Sequence, residues 1–490
     1  MAKPRLFFRA DGNSKIGLGH VIRSLALAEL LQADFECTFA IQQPSEALLN
    51  QLQSVCKPIE KLAATENENQ LLAEAETISN SFSGQEIIVL DGYQFSTGYQ
   101  QILKAKGNIL VCLDDLHDRY FVADAIINIA GGLKKEAYSV APYTKLCLGP
   151  AYALLRKPFR EAQKTLVKPG RKEPKMLLCF GGADPENYTL KYAQKLHEIK
   201  PELRLEIVTG SAYQNSESLQ KFISGNPYAF WRKNLDAEAM AELMAECAVA
   251  LCSASSVAYE YCAVNGMLFV EKTAENQADL YRYLITENLA LPAEKIHEVL
   301  TGSGSKHLAK TLIRKQQEIF NGQAETNLQN LFSGLALQAG LRFRKVKTED
   351  AELLFEWAND PEARKFSFNA EPIPYETHLK WLSGKLTNPQ ALLLLAEIQH
   401  KPAALLRFDL KEDIALISYQ IGAEFRGKGL GHRVLQVGLP ELKKYFPEIT
   451  EAIGYVQPEN VASVRAFEKA GFKNLGIDAK LKAYKFLTKL

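Results

Sequence analysis

Short apolar runs recur at strand length along the first part of the chain: RLFFRA at 5–10, ECTFAI at 36–41, EIIVL at 86–90, ILVCL at 109–113 and AIINI at 125–129. Between them lie stretches such as 21–32 whose apolar residues recur at helical spacing. Strands that read as continuous apolar runs are covered on both faces, and their alternation with helices predicts a parallel α/β sheet. A second series begins at MLLCF (176–180) and continues through LEIVTG (205–210), VALCSA (249–254) and MLFVE (267–271). Two α/β lobes in series are therefore expected, with a ligand cleft between them. The stretch 156–175, dense in charge and proline, reads as their connector. Residues 301–340 read as largely helical, and LRFRKVKTED at 341–350 opens a new pattern. The predicted organisation is a lobe over 1–155, a second over 156–337 and a separate domain over 338–490.

At 490 residues the chain exceeds what one hydrophobic core usually supports, which agrees with several compact units. No apolar run approaches the ~20 residues of a membrane span. With 58 Lys plus Arg against 57 Asp plus Glu, the chain is not basic enough to point to nucleic acid. The eight cysteines lie singly, mostly inside apolar runs, without zinc-site or disulfide-framework spacing, and read as buried reduced thiols. The first residues run from a short charged start straight into a strand pattern without the apolar segment of a signal peptide, so a cytoplasmic protein is expected.

The first strand leads into ADGNSKIGLGHVIRSLALAELL, where Gly12, Gly17 and Gly19 permit tight turns at the mouth of a helix. Main-chain amides and the helix dipole at such a place favour an anion. His20 is either a proton acceptor facing the cleft or a helix-capping histidine. Asp91, Asp114 and Asp115 each follow a strand, where ligands bind in open α/β sheets; they could hold a water or sugar hydroxyl, or cap the next helix. In the second lobe CFGGADPEN repeats the strand, glycine turn and helix start, so amides near Gly181 and Gly182 could face a pyrophosphate. Ser255, Ser256, Glu260, Asn276 and Gln277 are further candidates for a nucleotide, each with a capping or solvated-face alternative.

The ordered series RADGNSKIGLGH, DGY (91–93), LDD (113–115), LGPAYALLRKPF (148–159), FGGADP (180–185) and ENQ (275–277) resembles the UDP-sugar hydrolase of the pseudaminic acid pathway. That resemblance implies a two-lobed GT-B-like fold holding UDP in the second lobe. It also implies inverting hydrolysis of UDP-2,4-diacetamido-2,4,6-trideoxy-β-L-altropyranose by water at the anomeric carbon. The family's glycine-loop histidine falls on His20, with Asp11, Gly17, Gly19 and Tyr93 alongside. The chain departs from the family in SASSVAYE, where Tyr259 precedes Glu260 in place of a Trp-Glu pair, and in DGY in place of DHY. The spacing contains no metal-ligand cluster, and no metal is expected.

In the last part, ALISYQIGAEFRGKGLGHRVLQVGL (415–439) reads as a strand, a glycine-rich loop and an amphipathic helix. The loop Arg426, Gly427, Lys428, Gly429, Leu430 and Gly431 can turn successive amides toward a pyrophosphate. A strand AIGYV (452–456) then leads to QPENVASVRAFEKAGF, whose helix opens at Asn460. Together these resemble the GCN5-related N-acetyltransferases (GNAT), in particular the ribosomal-protein-type branch that includes the pseudaminic acid pathway acetyltransferase. The resemblance implies an α+β fold, acetyl-CoA as cosubstrate and Ile421, Arg426–Gly431 and Asn460 at its site. The usual acid tyrosine falls on Phe467, so the acid is unassigned among Tyr419, Tyr455 and Tyr484. Trp357, Asn359, Arg364, His378 and Trp381 are the candidates for acceptor binding, with a core role as the alternative for the two tryptophans.

Taken together, the halves imply a bifunctional enzyme that N4-acetylates a UDP-4-amino-sugar and then removes UDP. A GT-B glycosyltransferase, or a nucleotide-sugar sensor joined to a protein N-acetyltransferase, are the competing readings. UDP-sugar and acetyl-CoA are the expected partners, with no nucleic acid and no membrane.

Overall fold

The computed structural model describes residues 3–13, 17–164 and 173–490. The middle of the charged connector and residues 14–16 of the glycine loop lie outside the described residues. The chain divides into two compact units, Met1–Ser139 with Lys145–Leu331, and Val140–Thr144 with Phe332–Leu490.

The first unit holds two parallel sheets. In the first, β1 (Arg5–Ala10), β2 (Glu36–Gln42), β3 (Ile59–Leu62), β4 (Ile87–Asp91), β5 (Ile109–Leu113), β6 (Ala125–Asn128) and β7 (Lys145–Leu148) lie in the order β3-β2-β1-β4-β5-β6-β7. β1, β4 and β5 are apolar almost throughout and buried, as strands covered by helices on both faces must be. The chain order reverses between β1 and β4, which pair with Ala10 beside Asp91. Such a reversal leaves a crevice at the carboxyl edge of the strands, where ligands bind. The helix α1 (Gly19–Leu31) starts at this point.

In the second sheet β8 (Glu173–Cys179), β9 (Arg204–Thr209), β10 (Ala229–Lys233), β11 (Cys247–Ser253), β12 (Met267–Glu271) and β13 (Leu291–Pro292) follow the order β10-β9-β8-β11-β12-β13, again all parallel. The helices α2 (Lys157–Lys164), α3 (Tyr188–Ile199), α4 (Ser256–Ala263) and α5 (Ala278–Thr286) belong to this half. The reversal here lies between β8 and β11. α2 occupies part of the stretch read from sequence as connector.

The two halves of this unit are tied at named contacts. The Tyr259 hydroxyl, fully buried, donates to the carbonyl of Ile129 at 2.8 Å. Gly131 lies so close to the Tyr283 ring that any side chain there would overlap it. The tyrosine that departs from the family's Trp-Glu pair therefore has a packing role of its own.

The second unit is built on a mixed sheet of β14 (Leu341–Lys345), β15 (Ala391–Ile398), β16 (Lys401–Lys411), β17 (Ile414–Ile421), β18 (Glu451–Val456), β19 (Lys473–Asp478) and β20 (Ala483–Lys489), in the order β14-β15-β16-β17-β18-β20-β19. All neighbours are antiparallel except β17 and β18, which run parallel. One face carries α6 (Leu430–Tyr445) and α7 (Val461–Lys469) over a core that includes Leu406, Phe408, Ile417, Val434, Leu435 and Phe467. The other face packs Leu393, Leu395 and Leu405 against Leu354, Leu382, Trp357 and Trp381. Alternation along β16 explains the division, since successive side chains of a strand point to opposite faces.

Candidate functional sites

At the first reversal point the glycine loop delivers α1 with its end open. Gly17 has φ +79°, a backbone conformation that glycine adopts without strain, and nothing lies within 4 Å of where a side chain would be at Gly17 or Gly19. The N-cap, Leu18, offers no side-chain acceptor, and among the described residues no protein group accepts from the amides of Gly19, His20 and Val21. Uncapped amides at the positive end of a helix form an anion site.

His20 points into the sheet edge rather than capping the helix. Its Nδ1 lies 2.7 Å from Asp91 Oδ1, a contact that requires Nδ1 to carry the proton and leaves Nε2 as the proton-accepting nitrogen. Asp91, expected to reach a sugar hydroxyl, instead spends both oxygens inside the protein: Arg23 Nη2 and Nε donate at 2.6 and 2.7 Å and the Ser24 hydroxyl at 3.1 Å. Burial opposes ionisation of Asp91, but Arg23 and His20 outweigh it and hold its carboxyl below the usual range. Arg23 also donates to both oxygens of Asp115, at 2.7 and 2.8 Å, so Asp115 serves this network rather than capping a helix. The network locks Arg23 as a cation.

Tyr93 stands edge-on to the His20 ring, with centroids 4.7 Å apart, and donates to Asp115 Oδ2 at 3.2 Å. Its hydroxyl accepts from Asn276 Nδ2 of the second half at 2.6 Å. His117 Nε2 and Asp279 Oδ2, 3.0 Å apart, make a second link between these edges. Asp11 is not brought to His20. Arg9, Gln42 and Gln94 take its oxygens at 2.6, 2.8 and 3.0 Å, which makes it part of the buried cluster around Arg9 and Glu74.

In the second half Gly181, with φ +87°, and Gly182 face open space. The helix after them is already capped, because Asp184 accepts from the amides of Tyr188 and Thr189 at 2.9 and 2.7 Å. Ser255 precedes α4 without capping it, its hydroxyl 3.0 Å from that of Ser253, and Ser256 begins the helix. Glu260 is neither a solvated residue nor an open ligand: it is buried and gripped by Arg156 Nε and Nη2 at 2.6 and 2.8 Å. Arg156 of the connector is thus a partner that sequence reasoning missed. Gln277 turns back to accept from the Thr273 amide at 2.8 Å, which leaves Asn276 as the outward residue of that pair.

In the second unit the pairing of β17 with β18 ends at Ile417 and Gly454, although both strands continue. The two strands part there, and α6 begins beside the gap. Gly427 and Gly429 have φ +76° and +74°, and no protein acceptor takes the amides of Gly427, Lys428 or Gly429 among the described residues. Gly431 is closely packed, since a side chain there would sit 3.1 Å from both the Tyr419 hydroxyl and the Ala466 side chain. The Arg426 side chain braces the turn, donating to the Ile421 carbonyl at 3.1 Å and to Asp360 at 2.8 Å. Lys428 lies over the Phe425 ring and Leu430 is core. Asn460 caps α7 by accepting from the Ser463 amide at 3.1 Å.

Phe467 is buried, stacked on Phe486 and beneath Gly454, so it closes the position where the sequence placed the usual acid tyrosine. Tyr419 sits one strand position past the gap's start, its hydroxyl against Gly431 and hydrogen-bonded with Ser463. Burial pushes its phenol up from the ordinary value. Of the residues expected to bind an acceptor, Asn359 holds the Ile373 amide and carbonyl, Arg364 holds the carbonyls of Asn369 and Glu371, and buried His378 contacts the Ala351 carbonyl. Their polar groups serve the fold.

The eight cysteines are free and buried. Among the described residues no group of three or more His, Cys, Asp or Glu could hold a metal, and no helix is long and apolar enough to cross a membrane.

Residues 340–473 match the family described as Acetyltransferase (GNAT) domain. An uncharacterized protein of Methanocaldococcus jannaschii is 24% identical over 94% of this chain and 95% of its own length. The UDP-2,4-diacetamido-2,4,6-trideoxy-beta-L-altropyranose hydrolase of Campylobacter jejuni is 27% identical over 52% of this chain and 87% of its own. The spore coat polysaccharide biosynthesis protein SpsG of Bacillus subtilis is 26% identical, over 58% and 81%. Among solved structures, aminoglycoside acetyltransferase AAC(6')-Ib in complex with coenzyme A is 19% identical over 30% of this chain and 94% of that one, with a TM-score of 0.28. The chain is mixed α/β and carries a C-terminal GNAT-type acetyltransferase domain, for which acetyl-CoA is the cosubstrate.

Proposed function

We propose that the chain is a bifunctional enzyme of pseudaminic (nonulosonic) acid synthesis, in which the C-terminal domain N4-acetylates a UDP-4-amino-sugar and the first unit hydrolyses the acetylated product to UDP and free sugar. The observation that carries the hydrolase half is the contact of His20 Nδ1 with Asp91 at a sheet reversal, beside the uncapped glycine-lined start of α1. A general base at a phosphate-binding helix end is what water attack on a UDP-sugar needs. Two parallel sheets whose carboxyl edges are linked by Asn276 to Tyr93 and His117 to Asp279 support a two-lobed GT-B-like arrangement. The named hydrolase of Campylobacter jejuni, similar over this part, supports the substrate class.

In the hydrolytic step a water oxygen bonds to the anomeric carbon as the bond from that carbon to the phosphate oxygen breaks. His20 Nε2 takes the proton of the water, Asp91 stabilises the resulting imidazolium, and UDP leaves against the α1 amides. In the acetyl transfer the neutral sugar amine attacks the thioester carbonyl, the carbon–sulfur bond breaks, and Tyr419 gives the proton to the thiolate. The amides of Gly427–Gly429 bind the pyrophosphate of acetyl-CoA.

Mass spectrometry of the full chain with UDP-4-amino-4,6-dideoxy-β-L-AltNAc, with and without acetyl-CoA, tests both halves. Wild type is expected to yield UDP and the diacetamido sugar. Acetylated UDP-sugar should accumulate in His20→Ala, and unmodified amine should remain in Gly429→Trp. A wild-type protein that leaves the nucleotide sugar intact under both conditions refutes the pathway assignment.

A further inference from the structure

The histidine at the first reversal point sits beside a fixed cation. Arg23, on the same helix as His20, brings Nη2 to 3.3 Å from His20 Nδ1. With Nδ1 protonated, both groups are donors, and they converge on one acceptor, Asp91 Oδ1, at 2.7 Å from His20 and 2.6 Å from Arg23. A guanidinium at that distance opposes a second positive charge on the ring, and it does so inside the fold, where the His20 and Arg23 side chains are each 10% exposed. Yet a histidine that takes a proton from water must become an imidazolium. Asp91 alone cannot offset both cations, because one carboxylate against two positive charges leaves the cluster positive.

The second carboxylate is Asp115. It follows β5, 92 residues from Arg23, and both of its oxygens accept from Arg23 Nη1. No hydrogen bond joins it to His20 among the described residues. The charged and titratable groups around the ring are Arg23 on its own helix, Asp91 at the end of β4 and Tyr93 in the turn after β4, with Asp115 behind Arg23 and Tyr93. Burial and Asp115 hold the Tyr93 phenol above its ordinary value, so it is uncharged near neutral pH. The remaining two carboxylates and one guanidinium give a single net negative charge around a neutral imidazole, which falls to zero once the ring holds the proton. Without Asp115 the same proton transfer would build a net positive charge in a partly dehydrated site.

We propose that Asp115 is a positioning residue that sets the basicity of His20, by cancelling the charge of Arg23 and holding in place two residues that contact the ring, Arg23 and Tyr93. This rests on the hydrolase reading above and adds to it a residue that acts through others. Direct binding of a sugar hydroxyl by Asp115, or a role in stability alone, are the rival readings.

The test is the pH dependence of UDP release by the full chain from UDP-2,4-diacetamido-2,4,6-trideoxy-β-L-altropyranose, for wild type, Asp115→Asn, Asp115→Ser and Asp115→Glu. The acid limb of kcat/KM reports the base of the free enzyme. Loss of the charge in the Asn and Ser variants should move that limb to lower pH by about one unit and lower kcat about tenfold, since a weaker base takes the proton less readily, with KM changed less than about twofold. Asp115→Glu should return the limb toward wild type. A lowered kcat with an unmoved limb makes Asp115 structural, and a raised KM with an unmoved limb makes it a sugar ligand; either result, or no change at all, overturns the proposal. NMR titration of the His20 imidazole in the full chain, assigned by its absence in His20→Ala, makes the same comparison without substrate. Wild type that releases no UDP refutes the hydrolase reading, and the titration then decides on Asp115 separately: His20 titrating at lower pH in Asp115→Asn supports its hold on the basicity of His20, and an unchanged titration overturns it.

Discussion

Replacing Asp91 by Asn probes the first site most directly, because Asp91 touches His20 and Arg23 at once and is fully buried. The amide keeps the shape but removes the charge that orients Nδ1–H and stabilises the imidazolium formed when His20 accepts a proton. Loss of such a buried carboxylate lowers kcat by about 10² to 10⁴-fold. Its cost in stability is about 1.5–3 kcal/mol for charge-assisted hydrogen bonds, held to that range because Arg23 keeps Asp115 as a counterion. pH gives an independent signature. The folded carboxyl titrates below its unfolded value of about 3.9, so its contribution is complete above that value and is lost as pH falls through the lower folded one. Hydrolysis should be followed by UDP release, stability by urea unfolding at pH 7 and near pH 3, and acetylation by the same preparation serves as the control. The stability gap between wild type and Asp91→Asn should narrow at the acid pH. Hydrolysis within about twofold of wild type, in a variant that folds and acetylates normally, would sink the assignment of Asp91 as the residue that positions His20.

Two further predictions concern the C-terminal domain. Tyr419→Phe should lower the kcat of acetyl transfer by about 10 to 100-fold with little change in the KM for acetyl-CoA; because burial raises the phenol above its ordinary value of 10.0, the wild-type acid should stay protonated through neutral pH and fail only on the alkaline side. An unchanged kcat in Tyr419→Phe rules the phenol out. Gly438 lies within α6, where a side chain would overlap Leu406 Cδ2, so Gly438→Ala should destabilise the unit by about 1–3 kcal/mol despite alanine's better helix propensity, measured as a lower urea midpoint.

Much of the scaffold was legible because buried parallel strands are continuous apolar runs. RLFFRA, EIIVL and ILVCL became β1, β4 and β5 with ends shifted by no more than a residue. Strands lacking that pattern escaped notice: Ala229–Lys233 is an edge strand, exposed at Phe230, Arg232 and Lys233, and Ile59–Leu62 is an edge strand with no fully buried residue. An edge strand is covered less, so its sequence carries less of the burial signal. Glycine loops before helices were legible for a local reason, since Gly17, Gly427 and Gly429 hold positive φ angles next to the helices they start.

Partnership was not legible, because it depends on residues far apart in the chain. The sequence placed Asp91 and Asp115 at strand ends, but only the folded sheet, which sets β1, β4 and β5 side by side, turns them onto His20 and Arg23. Glu260 reads from the sequence as either a nucleotide ligand or a solvated helix residue, whereas in the fold Arg156, 104 residues earlier, holds both of its oxygens. Residue type and periodicity determined the elements and where loops would open toward a ligand. The tertiary structure decided which polar groups are spent on the protein and which remain for a substrate, because a hydrogen bond depends on distance in space and the sequence records only distance along the chain.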